Sequence, residues 1–428
     1  MGPLRALVIG AGSRGSAYSE YALENPDKLR IVGVAEPRAE YRDRFVRAHS
    51  LEDDSVFVDW RDPLVRQRFA DIVFVTTQDK MHAEPAIAYA EKGYNILLEK
   101  PMAPTEKECI QIVDAVKRSG VTLAVCHILR YTKHTRRLKE IISSGAIGTV
   151  VSIQHFEPVG YWHQAHSFVR GNWGNEAKSS PLLLAKSCHD LDWLQYIMGE
   201  SCTSVSSFGG LHHFTAENHP DGGGERCTDC AVEADCPYSA LKLYMPLVNE
   251  GKTGWPVDIL TPDVTEENVL EALRTGPYGR CAYLCDNDVV DNQVVALAYE
   301  GNRSATFTVN AFNNVGGRKT RIFGTRGELY LNEGDREPEG EATIVTPPLL
   351  RHFDFLTERI SYEVLDDHVE TALTGHHFGD FHLVDDVITG LREQRPELIV
   401  SGPDETLASH RTVFAAETSR RECRVVHM

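Results

Sequence analysis

The run Gly10-Ala11-Gly12-Ser13-Arg14-Gly15 constrains this chain more than any other feature, because it joins an apolar segment ending at Ile9 to a stretch of helical character reaching about Glu24. Glycines at such a junction permit a tight turn and a close backbone approach, and the helix that follows aims amide donors and its positive dipole end at whatever sits there, which suits a pyrophosphate. The pattern then continues as strands near 30–35, 71–76, 94–98 and 122–126 with helices at 83–92 and 107–118, so a parallel sheet covered on both faces is expected. Glu36 closes the second strand 21 residues past Gly15, where a carboxylate accepts hydrogen bonds from an adenosine ribose. Its charge favours NAD, while the Arg38 guanidinium two residues later suits the 2′-phosphate of NADP, so both cofactors stay open.

A chain of 428 residues exceeds one ordinary domain of roughly 100–200 residues, and we expect a dinucleotide-binding domain over 1–128 and a second domain over 129–428. The formal charge of −18 and the lack of a basic run argue against a nucleic-acid partner. No stretch approaches the roughly 20 apolar residues of a membrane span, and the first strand begins at Leu4 without the marks of a secretory leader. A cytoplasmic protein with reduced thiols and a small-molecule partner is expected.

At the end of the strand Asn95–Leu98 stands Glu99-Lys100-Pro101, on the sheet edge that faces the ligand crevice in folds of this type. Thr76-Thr77-Gln78-Asp79 and His82 precede it, and Lys186-Ser187-Cys188-His189-Asp190-Leu191-Asp192 follows much later. Taken in this order with the glycine loop and Arg130-Tyr131, these residues give a chain that resembles the glucose-fructose oxidoreductase / inositol dehydrogenase / rhizopine catabolism (Gfo/Idh/MocA) family. The resemblance implies an α/β Rossmann domain followed by an α+β domain with a large, open, mostly antiparallel sheet. It also implies NAD(P)-dependent hydride transfer at a carbon of a sugar, glycoside or cyclitol, and assembly into a homodimer or homotetramer through the open sheets. Gly10, Gly12, Ser13, Arg14, Gly15, Glu36, Arg38, Thr76, Thr77, His82, Glu99 and Lys100 would line the cofactor site. Lys100 would bind the reacting oxygen, and His189 would exchange the hydroxyl proton.

One departure stands out. Inositol dehydrogenase-like members carry an Asp four residues before this His, and here Ala185 occupies that position, beside Lys186. Either Asp190, Asp192 or a group elsewhere must then assist His189, or Lys186 adds a second cation; Asp192, three residues on, can share its helical face. Aromatic rings interleaved with polar groups from His155 to Trp173 suit a carbohydrate, which marks His166, Arg170 and Trp173, and later His376, as candidate substrate contacts. That segment is read as a loop or lid.

Cys227-x2-Cys230-x5-Cys236, with Cys281 or Cys285 after about 45 residues, lies in an insertion at about 210–285. Thiolates at this spacing suit structural zinc or an iron–sulfur cluster, against free thiols with no ligand. The acidic run Asp286–Asp291 reads as a polar strand entry, with a hard-cation site as the alternative. The function expected overall is a sugar or polyol dehydrogenase. Its alternatives are a redox-neutral enzyme using bound NAD, such as an epimerase or eliminating glycosidase, and a non-catalytic NAD-dependent sugar sensor.

Overall fold

Short apolar strands separated by helices build the first sheet. A computed structural model describes residues 2–314, 316–339 and 342–428. In it β1 (Leu4–Ile9), β2 (Leu29–Ala35), β3 (Val56–Phe57), β4 (Ile72–Val75), β5 (Asn95–Leu98) and β6 (Leu123–Val125) pair in parallel in the order β3-β2-β1-β4-β5-β6. The order reverses between β1 and β4, so a crevice opens at the carboxyl ends of those strands, where the glycine loop and Glu99-Lys100 stand. Ser13–Glu24, Ala83–Glu91 and Glu106–Ser119 are helical as the periodicity predicts. Ala39–His49 is an additional helix, strongly polar and burying only Phe45, which leaves almost no apolar signal to read.

The second sheet has nine strands in the order β16-β15-β12-β11-β7-β10-β9-β8-β17. They are β7 (Val150–Gly160), β8 (Ser204–Gly210), β9 (Asn292–Tyr299), β10 (Arg303–Asn313), β11 (Lys319–Gly324), β12 (Gly327–Asn332), β15 (Leu349–Asp354), β16 (Ile360–Val364) and β17 (Val426–His427), while β13 (Arg336–Glu339) and β14 (Ala342–Val345) form a separate hairpin. Only β7 and β10 pair in parallel, and every other pairing is antiparallel. The reading of residues 155–160 as loop is corrected: they end the central strand β7. Its inward positions Ile153, His155, Glu157 and Val159 alternate as a strand requires, but two are polar, so the apolar alternation is hidden. Residues 164–170 continue as a wholly buried π-helical turn, a form that recurs at functional sites.

Between β8 and β9 the insertion carries two helices, Ala240–Asn249 and Glu266–Thr275, around its own apolar cluster of Tyr244, Val257, Val269, Leu273 and Tyr278. The end of the chain returns to the first sheet. Leu383, Val384, Val387 and Ile388 of the helix Gly379–Glu393 pack in one cluster with Ala6 and Val8 of β1. The last helix, Pro403–Glu422, lies against β8 and the helix Cys188–Met198. Among the described residues no helix is long and apolar enough to cross a membrane.

Candidate active site

Packing against Thr76 explains two of the loop glycines. A Cβ on Gly10, whose φ is +92°, would come within 2.8 Å of the Thr76 carbonyl oxygen, and one on Gly15 within 2.0 Å of the Gly10 carbonyl oxygen. Thr76 Oγ1 donates to that same Gly10 carbonyl at 2.7 Å, so the loop is fastened to the end of β4. Gly12 differs, since a Cβ there would meet only Arg38, at 3.3 Å. The helix Ser13–Glu24 begins with no side-chain cap and no acidic residue in its first turn. Its free amides, with Ser13 exposed beside them, fit the pyrophosphate of a dinucleotide.

Glu36 is 2% exposed, and its Oε2 accepts from the Ala11 amide at 2.9 Å. The Arg38 backbone amide and Nε donate to Oε1 at 3.0 and 2.7 Å, and the guanidinium lies 3.8 Å from the Tyr41 ring centre. Burial alone would raise this carboxyl; the hydrogen bonds and charge of Arg38 outweigh it and hold the group below its ordinary range. Arg14 turns away from the helix N-terminus. Its Nε donates to Glu99 at 3.0 Å, and Nη1 and Nη2 grip Asp380 at 3.1 and 2.6 Å, so it braces the glycine loop against two other segments. Thr77 Oγ1 donates to the Met81 carbonyl, and His82 places Nδ1 2.7 Å from the Pro101 carbonyl and Nε2 3.0 Å from that of Thr77. This segment therefore supports the turn that carries Lys100.

Lys100 Nζ donates to the Ala185 carbonyl at 2.7 Å. That contact lands between the helices Leu182–Ala185 and Cys188–Met198, with Lys186 and Ser187 at the break. His189 follows one residue into the second piece. It is 3% exposed, and neither ring nitrogen has a hydrogen-bond partner. Burial, then the Lys100 charge, push it well below the usual histidine range. Ser187 Oγ and Asp190 Oδ2 are also buried without partners. Orphaned polar atoms concentrated at one break in a helix are what a hydroxyl-bearing ligand would satisfy.

The carboxylate expected to orient His189 does not do so. Asp192 accepts from Arg130 at 2.6 and 2.8 Å and from Ser409 at 2.8 Å, which turns it into the core. Asp190 faces the other way, 3.1 Å from His155 Nε2 and accepting from Arg318 Nε at 2.5 Å. Arg318 also meets Glu157 at 2.9 Å, and Glu157 meets Lys186 Nζ at 2.9 Å, so the second cation is paired. Arg318, Glu157 and Asp380 escaped the sequence reading, because their partners lie on other elements and no spacing marks them.

His166 and Arg170 face the insertion. His166 Nδ1 is 2.7 Å from the Tyr244 hydroxyl and its ring stacks on Tyr278 at 4.9 Å. Arg170 donates to the carbonyls of Arg280 and Tyr238, both at 2.7 Å, and to Cys227 Sγ at 3.6 Å. Through these bonds both side chains clamp the insertion. Trp173 Nε1 donates to Asp79 Oδ1 at 3.2 Å, joining the second domain to the Thr76–Asp79 loop. His376 reaches the cleft, with its ring centre 6.0 Å from that of His189. His163 lies there too, pushed well below its ordinary range by burial, then by the charges of Lys186, His166 and Lys100. The Trp255 ring of the insertion stands 5.1 Å from it and 5.4 Å from Trp162.

The zinc and iron–sulfur readings are corrected as well. Among the described residues no group of three or more His, Cys, Asp or Glu side chains is placed to hold a metal ion. The thiols lie near enough to act on one another, but their hydrogen bonds go elsewhere: Cys227 Sγ accepts from the Ala240 amide at 3.4 Å, Cys230 Sγ from the Gly224 amide at 3.3 Å, and the Cys285 thiol donates to the Cys281 carbonyl at 3.3 Å. Burial pushes the thiols of Cys236, Cys281 and Cys285 up, toward the protonated form. The hard-cation alternative falls for the same reason, since Asp286 is paired with Lys178 and Arg280 and Asp291 accepts from the His212 and His213 amides.

Comparison with known proteins identifies the family and the fold. The profile described as an oxidoreductase family with an NAD-binding Rossmann fold matches residues 4–127, and that of the family's C-terminal alpha/beta domain matches 139–428. YteT of Bacillus subtilis (strain 168), whose name places it among oxidoreductases, is 24% identical over 349 residues, 80% of this chain and 78% of that protein. The 2,7-anhydro-N-acetylneuraminate hydratase of Escherichia coli (strain K12) is 28% identical over 203 residues, 47% of this chain and 52% of that protein, so here the match spans about half the relative. Among solved structures, the aldose-aldose oxidoreductase from Caulobacter crescentus, complexed with glycerol, shares the fold with a TM-score of 0.68 at 15% identity, covering 100% of both chains.

Proposed function

The chain belongs to the Gfo/Idh/MocA family of NAD-binding oxidoreductases, and on that premise we propose that it is a cytoplasmic, homo-oligomeric dehydrogenase acting on a carbon of a sugar, glycoside or cyclitol. The observation that carries this reading is the approach of Lys100 Nζ to the helix break at Ala185, which brings an ammonium and the unpartnered imidazole of His189 to one cleft beside the glycine loop. NAD is the preferred cofactor, because a 2′-phosphate would have to displace the Glu36–Arg38 pair. Bound there, the dinucleotide supplies a hydride acceptor or donor.

The amides at the start of Ser13–Glu24 hold the pyrophosphate and Glu36 holds the adenosine ribose. Lys100 donates to the reacting oxygen and favours negative charge developing on it. His189, neutral in its buried site, takes the hydroxyl proton at a ring nitrogen. Trp162, His163 and Trp255 supply ring faces for the C–H side of a carbohydrate. The printed names of two similar proteins, a hydratase of an anhydro sugar acid and an aldose-aldose oxidoreductase, support a carbohydrate substrate.

A panel of aldoses, methyl glycosides, anhydro sugars and inositols, followed at the nicotinamide absorbance with NAD and with NADP, tests the reading. Reduced cofactor should form in step with oxidised product, and Lys100→Ala should lower kcat by at least about 100-fold while NAD affinity changes by less than about twofold. A redox-neutral product formed with catalytic NAD would favour the epimerase or eliminating-glycosidase alternative. NAD binding without turnover of any member would favour a sensor.

A further inference from the structure

Resting on the alcohol-oxidising reading above, we propose that His376, paired with Asp380, is the relay through which His189 exchanges its proton with solvent, in place of the Asp-His dyad that Ala185 removes. Neither nearby carboxylate on its helix serves His189, because Asp192 is held by Arg130 and Asp190 by Arg318 and His155. The two histidine rings next to it are His127, at 5.8 Å, and His376, at 6.0 Å. His127 is fully buried, its ring next to the equally buried His410 and its Nδ1 3.7 Å from the core carboxylate Asp192. The His376 side chain is 35% exposed, so it alone of the two opens to water.

His376 Nδ1 lies 3.3 Å from Asp380 Oδ1, and Asp380 is itself 4% exposed and gripped by Arg14 of the glycine loop. A carboxylate at Nδ1 fixes the tautomer and leaves Nε2 free to exchange a proton. The backbone here is unusual. His376, His377 and Phe378 follow one another with φ of 51°, 53° and 62°, a left-handed conformation that side-chain-bearing residues seldom adopt even singly. A Cβ on the preceding Gly375 would come 2.0 Å from Asp380 Oδ2, so the glycine permits the close turn. Strain held in place by surrounding packing is typical of functional sites. The charged and titratable groups facing this turn are Asp380, Arg14 and Glu99 on one side and His189, Lys100, Arg318, His377, His134 and Glu333 on the other.

In the oxidation the substrate O–H bond breaks and its proton goes to His189. The C–H bond breaks with its electron pair, which leaves as hydride to the nicotinamide, and the C–O bond becomes C=O. With the ring centres 6.0 Å apart, the relay runs through one bridging water. The proton crosses by that water to His376 Nε2 and then to bulk, so each turnover yields one ketone or lactone, one reduced nicotinamide and one released proton.

His376→Ala should lower kcat about 100-fold on whichever panel member the wild type oxidises, with NAD affinity within about twofold, and added imidazole should restore at least about a tenth of the lost rate. A second arm needs no substrate. In 15N-histidine NMR spectra of the NAD-loaded protein, His376 should carry its proton on Nδ1, and Asp380→Asn should shift that tautomer. Turnover by the wild type with an unaffected His376→Ala variant, a loss that imidazole does not restore, or identical His376 signals in wild type and Asp380→Asn would each overturn the relay while leaving the dehydrogenase standing. A wild type that binds NAD and oxidises no panel member overturns the dehydrogenase reading, and the relay with it.

Discussion

At the scale of single residues, burial disfavours the charged form of several histidines. Burial lowers His127 and His166 to about 3 and His410 to about 4. An unfolded chain would protonate each near 6.5. Between those values the unfolded state binds more protons than the folded one, so stability is lost as pH falls below 6.5, by up to about 1.4 kcal/mol per pH unit for each such histidine. Carboxylates held low by a cation, such as Asp190 at about 2, act the same way but only below about pH 4, where the unfolded carboxyl begins to protonate. Thermal unfolding followed from pH 7 to pH 5 should therefore show a steady fall in Tm. A flat profile over that range would mean that these rings are already charged in the folded protein. None of this is visible in the sequence, where a histidine's burial leaves no mark.

At the scale of elements, the π-helical turn 164–170 and the insertion form one unit. Ala165 and Val169 pack with Phe214 and Ala282, while His166 and Arg170 reach into the insertion by hydrogen bonds. Arg170→Ala would leave the Arg280 and Tyr238 carbonyls unpaired and remove a buried cation, at a cost of about 3 kcal/mol. Limited proteolysis read by mass spectrometry should then show early cleavage within residues 211–291 while both sheets persist. Cleavage unchanged from wild type would show that the insertion is held by its apolar cluster alone. The composition shift after residue 210 and the cysteine spacing point to an insertion at about 210–285, and between β8 and β9 the chain carries a separate apolar cluster around Tyr244. Its attachment was not legible in the sequence, because an aromatic run rich in His and Arg fits a sugar site and a domain clamp equally well. Strand β7 was missed for a related reason: His155 and Glu157 face inward, where a hydrophobic pattern would have revealed them.

At the scale of the whole molecule, several strands of the second sheet present large exposed apolar side chains. Val151 on β7, Phe208 on β8, Val294 on β9, Phe312 on β10 and Tyr362 on β16 are all at least 40% exposed, with Phe208 at 67%. Exposed apolar side chains of this kind, interleaved with the charged Arg321–Glu328–Arg351 group, suit burial against a second copy. Light scattering on the eluting protein should give a dimer or tetramer, and Phe208→Asp combined with Tyr362→Asp should shift it toward monomer; a monomeric wild type would refute that assembly. The sequence by itself determined the strand, glycine loop and helix that open the chain and the strand-end Glu99-Lys100-Pro101, because each depends on contiguous residues and their periodicity. Tertiary structure alone decided which charges meet. Arg14 grips Asp380 across 366 positions and Arg318 takes Asp190 across 128, leaving His189 without the carboxylate its helix offered. Such pairings follow from which elements the packing brings together, and a buried cation takes whichever carboxylate that packing puts within hydrogen-bond reach, whatever its distance along the chain.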